Sequence, residues 1–393
     1  MIIERVPVRT VFLPFNRPDI TETEVDEVVD TLYSGWLTTG PKTKAFESQF
    51  ADFVGSRHAL AVNSCTAALH TVLAAAGIGP GDEVIVPTMT FAATANVIIH
   101  QRATPVFVDV QPDTLNIDPT AVARAITPRT RAIIPVHLYG HPCDMAALQV
   151  LAQTYELLII EDAAHAVGAY WHNKPIGSIG HATAFSFYAT KNLVTAEGGM
   201  ITTNNSELDF AMRRWVLHGI SRDAWDRYTQ QGSWYYEIIL PGFKYNMTDI
   251  QAALGLHQLA RLERMQSRRQ QIANRYQAGF TGLTAVELPT CRSDVVHAWH
   301  LYPIRLRLEQ LTIDRAAFIE ALRGEGIGSS VHFIPLHRHP YYREQFDLHP
   351  AMFPVADEAY ERLISLPLYT RMSDADVDDV IEAVRCLVQR YGR

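Results

Sequence analysis

Only four cysteines occur in this 393-residue chain, Cys65, Cys143, Cys291 and Cys386, and their wide separation lacks the paired spacing of a metal site. Such sparse use fits a reducing compartment, so the cytoplasm is the expected location and no metal is expected. Long apolar runs are also missing. No segment approaches the length of a membrane span, and Met1 to Thr10 mixes Glu4, Arg5 and Arg9 with short apolar stretches, unlike a signal peptide or anchor. The net charge of −8 comes without long runs of one sign, which speaks against a nucleic-acid-binding surface. An anionic substrate would then need a local basic pocket. No Gly-x-Gly-x-x-Gly follows a strand-like run and no Walker-type loop is present, which speaks against a dinucleotide enzyme or an NTPase. Internal repeats and low-complexity segments are absent too.

What the chain does have is enough apolar material, 48% of its residues, to bury a large core in one big domain and a smaller one. Thr21 and Glu24 have capping-box spacing, and Val25, Val28, Val29 and Leu32 recur behind them at helical intervals until Ser34-Gly35. Short β-prone runs then alternate with helical ones: Ala59 to Val62, Val84 to Val86, Pro105 to Val110, Ala132 to Val136 and Leu157 to Glu161. This alternation predicts an α/β fold with a mostly parallel sheet and helices on both faces. A long helical pattern around Asn246 to Arg264 runs into the charged stretch Arg261 to Arg269 and marks the domain change. The division predicted is a large domain over residues 1–255 and a smaller α+β domain over 256–393. In the latter, His300 to Leu306 and Ser329 to Phe333 read as strands, and Ile313 to Glu325 and Asp374 to Arg390 as helices.

Ligands of such sheets collect beyond the carboxyl ends of the strands. Polar residues stand there: Asn63-Ser64-Cys65-Thr66, Thr88-Met89-Thr90-Phe91, His137 and Asp162. Three segments follow in order: Ile159-Ile160-Glu161-Asp162-Ala163-Ala164-His165, Phe185-Ser186-Phe187-Tyr188-Ala189-Thr190-Lys191-Asn192 and Glu197-Gly198-Gly199-Met200. A carboxylate closing a buried strand, then a serine and a lysine in an apolar-aromatic segment, is the set that pyridoxal phosphate (PLP) chemistry requires. The lysine forms the Schiff base and moves protons, the carboxylate keeps the ring nitrogen protonated, and the serine can bind phosphate. Each has a plainer reading: Lys191 as a surface lysine, Asp162 as a helix cap.

Together with Ser34-Gly35-Trp36-Leu37-Thr38-Thr39-Gly40-Pro41, Gly242-Phe243-Lys244-Tyr245-Asn246-Met247-Thr248-Asp249 and His297-Ala298-Trp299-His300-Leu301, these segments resemble the DegT/DnrJ/EryC1/StrS family of sugar aminotransferases. The likeness runs from about Leu13 to the final helix. It implies fold type I of the PLP enzymes, as in aspartate aminotransferase. By the same resemblance Lys191, Asp162 and His165 are catalytic, and Cys65, Thr66, Phe91, Ser186 and Asn246 join Asp162 and Lys191 in holding the cofactor. Cys65 departs from the family, which usually has Gly or Ala there. Asn246 would reach the phosphate of a neighbouring subunit, implying a homodimer with shared sites. Thr38, Arg227, Lys244 and His332 are substrate-side candidates; His165 and His332 also read as structural histidines, and Phe91 as core.

Within the family, Leu13-Pro14-Phe15-Asn16-Arg17-Pro18, Ala224-Trp225-Asp226-Arg227, Val331-His332-Phe333 and Tyr341-Tyr342-Arg343-Glu344 resemble the members that make UDP-4-amino-4-deoxy-L-arabinose for lipid A modification. The implied reaction moves the amino group of L-glutamate to a nucleotide-linked keto sugar. Two rivals stand beside it. One is a PLP-dependent sugar dehydratase of the same fold, which has histidine where this chain has Lys191; the other is a noncatalytic PLP-binding regulator.

Overall fold

The Thr21–Glu24 pairing opens the first helix as its spacing predicts: the Glu24 carboxylate accepts the Thr21 N–H at 3.0 Å. A computed structural model describes residues 7–221 and 235–393. Helices α1 (Glu22–Ser34) and α2 (Pro41–Val54) lead into strand β1 (His58–Val62). Four helix–strand units follow: α3 (Cys65–Ala75) with β2 (Glu83–Pro87), α4 (Ala92–His100) with β3 (Thr104–Val108), α5 (Pro119–Ala125) with β4 (Thr130–Ile133), and α6 (Met145–Tyr155) with β5 (Leu158–Asp162). The hairpin β6 (Tyr170–Trp171) and β7 (Lys174–Pro175) precedes β8 (Ala182–Ser186), β9 (Gly199–Thr203) and α7 (Ser206–Val216). Then come α8 (Asp249–Ala260), α9 (Leu262–Phe280), β10 (Val286–Glu287), β11 (Val295–Val296), β12 (Tyr302–Leu306), α10 (Arg315–Gly324), α11 (Pro340–Phe346), α12 (Pro354–Arg362), β13 (Leu363–Leu366) and α13 (Asp374–Tyr391).

The main sheet has the order β1-β9-β8-β5-β4-β2-β3, and β9 alone runs against the other six strands. Both faces are covered, so neighbouring residues of one strand enter different cores. Ile159 packs with Phe46, Phe50, Phe185 and Phe187, whereas Ile160 packs with Val62, Leu69, Val84 and Ile201. A second core gathers around the antiparallel sheet β10-β12-β13. Helix α9 passes from one core to the other: Leu262 and Met265 belong with the main sheet, and Ile272, Tyr276 and Phe280 with the small one. Leu13, far upstream, also packs in the second core and bridges Ile327.

Six expected strands, β1 to β5 and β12, and the expected helices α10 and α13 stand within a few residues of where their patterns place them. The run Ser329 to Phe333 does not form a strand. Only Ser330 pairs, with Ser365; beyond it the Tyr139 hydroxyl takes the His332 carbonyl at 2.5 Å, so a side chain satisfies what a ladder would have. The Asn246 to Arg264 pattern is likewise two helices, α8 and α9, separated at Arg261. No helix among the described residues is long and apolar enough to cross a membrane, and no three His, Cys, Asp or Glu residues among them group as a metal site.

Candidate active site

Beyond the carboxyl ends of β1, β2, β5 and β8 lies a cavity of about 360 Å³. Its wall takes Cys65 and Thr66 from the start of α3, Phe91 from the turn after β2, Asp162 and His165 from the end of β5, and Ser186 and Lys191 after β8. His332 arrives from the other end of the chain. This is the place that the topology of a parallel sheet dictates.

Strand alternation separates the two adjacent acids of β5. Glu161 turns to one face, where it is fully buried and accepts from Gly180 N–H (2.7 Å) and Thr183 Oγ1 (2.8 Å) and pairs with His137 Nε2 (2.8 Å). Asp162 turns to the other and reaches the cavity. Its Oδ1 accepts from the Ala164 N–H at 3.1 Å and its Oδ2 from the Thr94 hydroxyl at 2.8 Å. Burial pushes the Asp162 carboxyl up, opposed by those two donors and by the Lys191 charge. A cation placed against it would complete the opposition.

Lys191 stands in the loop after β8, whose turn closes through Lys191 N–H to the Tyr188 carbonyl at 2.8 Å. The preceding carbonyl, of Thr190, accepts from the Asn16 amide at 3.3 Å. Burial lowers Lys191 to about 8, against the pull of the Cys65 and Asp162 groups. A lysine held there offers an appreciable fraction of neutral, nucleophilic amine near neutral pH.

One end of the cavity is built by α3. Ser64 caps the helix by accepting the Ala67 N–H at 3.0 Å. That leaves the N–H groups of Cys65 and Thr66 without an acceptor in the described chain, at the positive end of an 11-residue helix. Ser186 adds a hydroxyl to the same cavity. Gly199 keeps the cradle in shape: a Cβ there would lie 2.6 Å from the Ser64 carbonyl carbon and 2.8 Å from the Cys65 nitrogen. Paired N–H donors at a helix start suit a phosphate; an amine suits an aldehyde, and a buried carboxylate suits a protonated ring nitrogen. The residues present therefore fit PLP.

Two histidines have tautomers fixed by geometry. His165 Nδ1 accepts the Tyr139 N–H at 3.2 Å, and burial holds its ring well below the usual histidine range, so it is neutral with the proton on Nε2. His300 Nδ1 faces Asn192 Oδ1 at 3.1 Å, while the Asn192 amide is spent on the Ala298 carbonyl at 2.7 Å. His300 therefore donates from Nδ1 and keeps Nε2 as an acceptor. The two rings lie 4.4 Å apart, centroid to centroid. His332 bonds Ser365 Oγ at 3.0 Å, stacks on Phe15 at 5.3 Å, and burial lowers it to about 4. Phe91 is 62% exposed, with its ring tilted toward that of Phe333 at 5.8 Å, so it is not a core residue of the chain.

Three expected residues, Asn246, Thr38 and Lys244, do not line this cavity. Asn246 bridges Val62, donates to Thr39 Oγ1 at 2.7 Å and accepts from Lys244 Nζ; it lines a second cavity, of about 270 Å³, that shares no residue with the first. Thr38 gives its carbonyl to the Asp249 N–H at 3.1 Å and is exposed. Arg227 lies outside the described residues. Sequence reasoning missed Thr94, which bonds Asp162, and His300, which lines the cavity, whereas Thr90 stands in the polar segment after β2 where ligands were expected. His300 stood inside a family-like segment, but nothing in an Ala-Ala-Thr-Ala-Asn helix start singles out its threonine.

Comparison with known proteins agrees with this chemistry. The model of the DegT/DnrJ/EryC1/StrS aminotransferase family matches residues 18–385. The spore coat polysaccharide biosynthesis protein SpsC of Bacillus subtilis is 56% identical over 382 residues, covering 97% of this chain and 98% of its own. Among solved structures, Spr1654 of Streptococcus pneumoniae, assigned as a sugar aminotransferase, superposes in its PMP form with a TM-score of 0.90 at 39% identity, covering 96% of this chain and 99% of its own. Its PLP form gives 0.89 at the same identity. PseC of Helicobacter pylori, an aminotransferase of pseudoaminic acid biosynthesis, gives 0.89 at 29% identity, with 97% of this chain and 100% of its own covered. The sheet order, the cavity and these relatives describe one molecule: the chain belongs to the DegT/DnrJ/EryC1/StrS family, has PLP fold type I, and is a PLP-dependent aminotransferase.

Proposed function

We propose that this enzyme moves the amino group of L-glutamate to the keto group of a nucleotide-linked sugar, with a UDP-linked 4-keto-pentose as the first acceptor to test. The observation that carries the reading is the joint presence in one cavity of the Lys191 amine, the Asp162 carboxylate and the free N–H groups at the start of α3. When bound, PLP supplies a carbonyl that takes up amines covalently and a ring that accepts the electrons of a carbanion. Lys191 would hold PLP through its amine and, when free of it, would carry the proton between donor carbon and cofactor. Asp162 stays ionised against the ring nitrogen. The Cys65 and Thr66 N–H groups and the Ser186 hydroxyl would hold the phosphate, Phe91 would pack against the ring, and His165 would offer its Nε2–H beside it.

Asn246 lies outside its own chain's cavity yet beside β1, which supports a role toward the cavity of a second copy, in a homodimer with shared sites. His332, with Thr38, Lys244 and Arg227, would then face the sugar nucleotide. SpsC and PseC are named for polysaccharide and sugar-acid biosynthesis, which supports a sugar acceptor. Purified enzyme given L-glutamate and UDP-4-keto-pentose should release 2-oxoglutarate and aminated sugar nucleotide in equal amounts, and Lys191→Ala should release neither. Turnover unchanged in Lys191→Ala would defeat the reading.

A further inference from the structure

Asp162 is not held by its own strand alone. Thr94, on the first turn of α4, is fully buried and places its hydroxyl 2.8 Å from Asp162 Oδ2. Thr90, four residues earlier and 1% exposed, places its own hydroxyl 2.8 Å from that of Thr94. A threonine hydroxyl has one proton. An ionised Asp162 can only accept, so Thr94 must donate to it, and Thr90 must donate to Thr94. The direction of the whole chain is thereby fixed from the cavity wall, where Thr90 sits, to the carboxylate. On the other oxygen, Oδ1 has the Ala164 N–H at 3.1 Å, and the Cys65 thiol lies 3.9 Å away.

We infer that Thr90 and Thr94 form a two-hydroxyl relay that keeps Asp162 ionised and aimed at the cofactor ring, making both threonines positioning residues of the reaction. The inference rests on the reading of Asp162 as the partner of the ring nitrogen. The physical need is on the page: a carboxylate buried in an apolar sheet resists ionisation, and hydrogen bonds to the charged form offset that resistance. Donors already polarised by a second donor offset it further. The titratable groups that act on Asp162 are Cys65 of α3, Lys191 after β8 and, from the opposite face of β5, His137 after β4; of these only Lys191 and His137 can add positive charge. Thr94 is the nearest side-chain donor and carries no charge that pH can remove.

The test uses the full chain in the variants Thr94→Val, Thr94→Ser, Thr90→Val and Asp162→Asn. Two quantities are read: the dissociation constant of PLP from the cofactor-free protein, and the midpoint of the acid limb of activity. Thr94→Val keeps the volume and removes the donor that favours the charged carboxylate, so PLP should bind about tenfold more weakly and the acid midpoint should rise by about one pH unit. Thr94→Ser restores the hydroxyl and should recover both within about twofold, and Thr90→Val should move both in the same direction by about threefold or less. Wild-type behaviour of Thr94→Val, with both quantities displaced in Asp162→Asn, overturns the relay alone. A Ser variant as impaired as the Val variant also overturns it, because shape rather than the hydroxyl would then matter. Wild-type behaviour of Asp162→Asn removes the reading of Asp162 and the relay with it.

Discussion

At the scale of single residues, the chemistry depends on two charged groups kept where charge is costly. Lys191 is lowered to about 8 by burial, so its neutral form grows as pH rises through that value. In cofactor-free protein, the rate at which PLP attaches to Lys191 should rise about tenfold per pH unit below that midpoint and level off above it. Stopped-flow absorbance across pH 6 to 10, roughly spanning the neutral and ordinary lysine ranges, reads this directly. A midpoint at the ordinary lysine value would show that the amine is not desolvated. Both groups were legible in sequence because each is a charge inside an apolar run, Asp162 behind Leu157 to Glu161 and Lys191 behind Phe185 to Ala189. Thr94 was not legible. A threonine among alanines carries no such contrast, and its role exists only once α4 is laid beside β5.

At the scale of elements, α3 and the aromatic packing under β8 set the geometry of the site. Ser64→Ala would remove the cap on Ala67 N–H and cost about 1 kcal/mol of stability, with weaker PLP binding because the helix start proposed to hold the phosphate would fray. Thermal unfolding with and without PLP separates the two effects. Phe50 is fully buried, with ring centroids 5.0 Å from Phe185 and 5.5 Å from Phe187, on either side of Ser186. Phe50→Ala should therefore lose about 3–5 kcal/mol in denaturant unfolding. A loss below about 1 kcal/mol would mean that the cluster is not tightly packed. Elements were legible where the pattern is continuous, as in β1 to β5. Strands β8 and β9 were not, since Thr183, Ser186, Gly199 and Thr202 interrupt the apolar pattern although all are buried. The run Ser329 to Phe333 looks like a strand by residue type, but the sheet it would join accepts it at Ser330 only.

At the scale of the whole molecule, the site is drawn from distant parts of the chain. Asn16 holds the Thr190 carbonyl and Phe15 stacks on His332, so the segment before α1 touches both the lysine loop and the small-sheet side of the cavity. Such long-range closure has no local signature in sequence. The placement of Asn246 away from its own chain's cavity leads to a complementation test. Lys191→Ala and Asn246→Ala, each inactive or nearly so when alone, should regain activity when unfolded and refolded together, because mixed dimers would carry one intact site. Absence of recovery, with dimers confirmed by light scattering, would place Asn246 outside any shared site.

The most direct test of the central claim is the absorption spectrum of the PLP-loaded enzyme, recorded as L-glutamate and then UDP-4-keto-pentose are added. The visible band of the lysine-linked cofactor should vanish with glutamate and return with the sugar nucleotide. A band that fails to form with PLP, or that glutamate leaves untouched, would contradict the account.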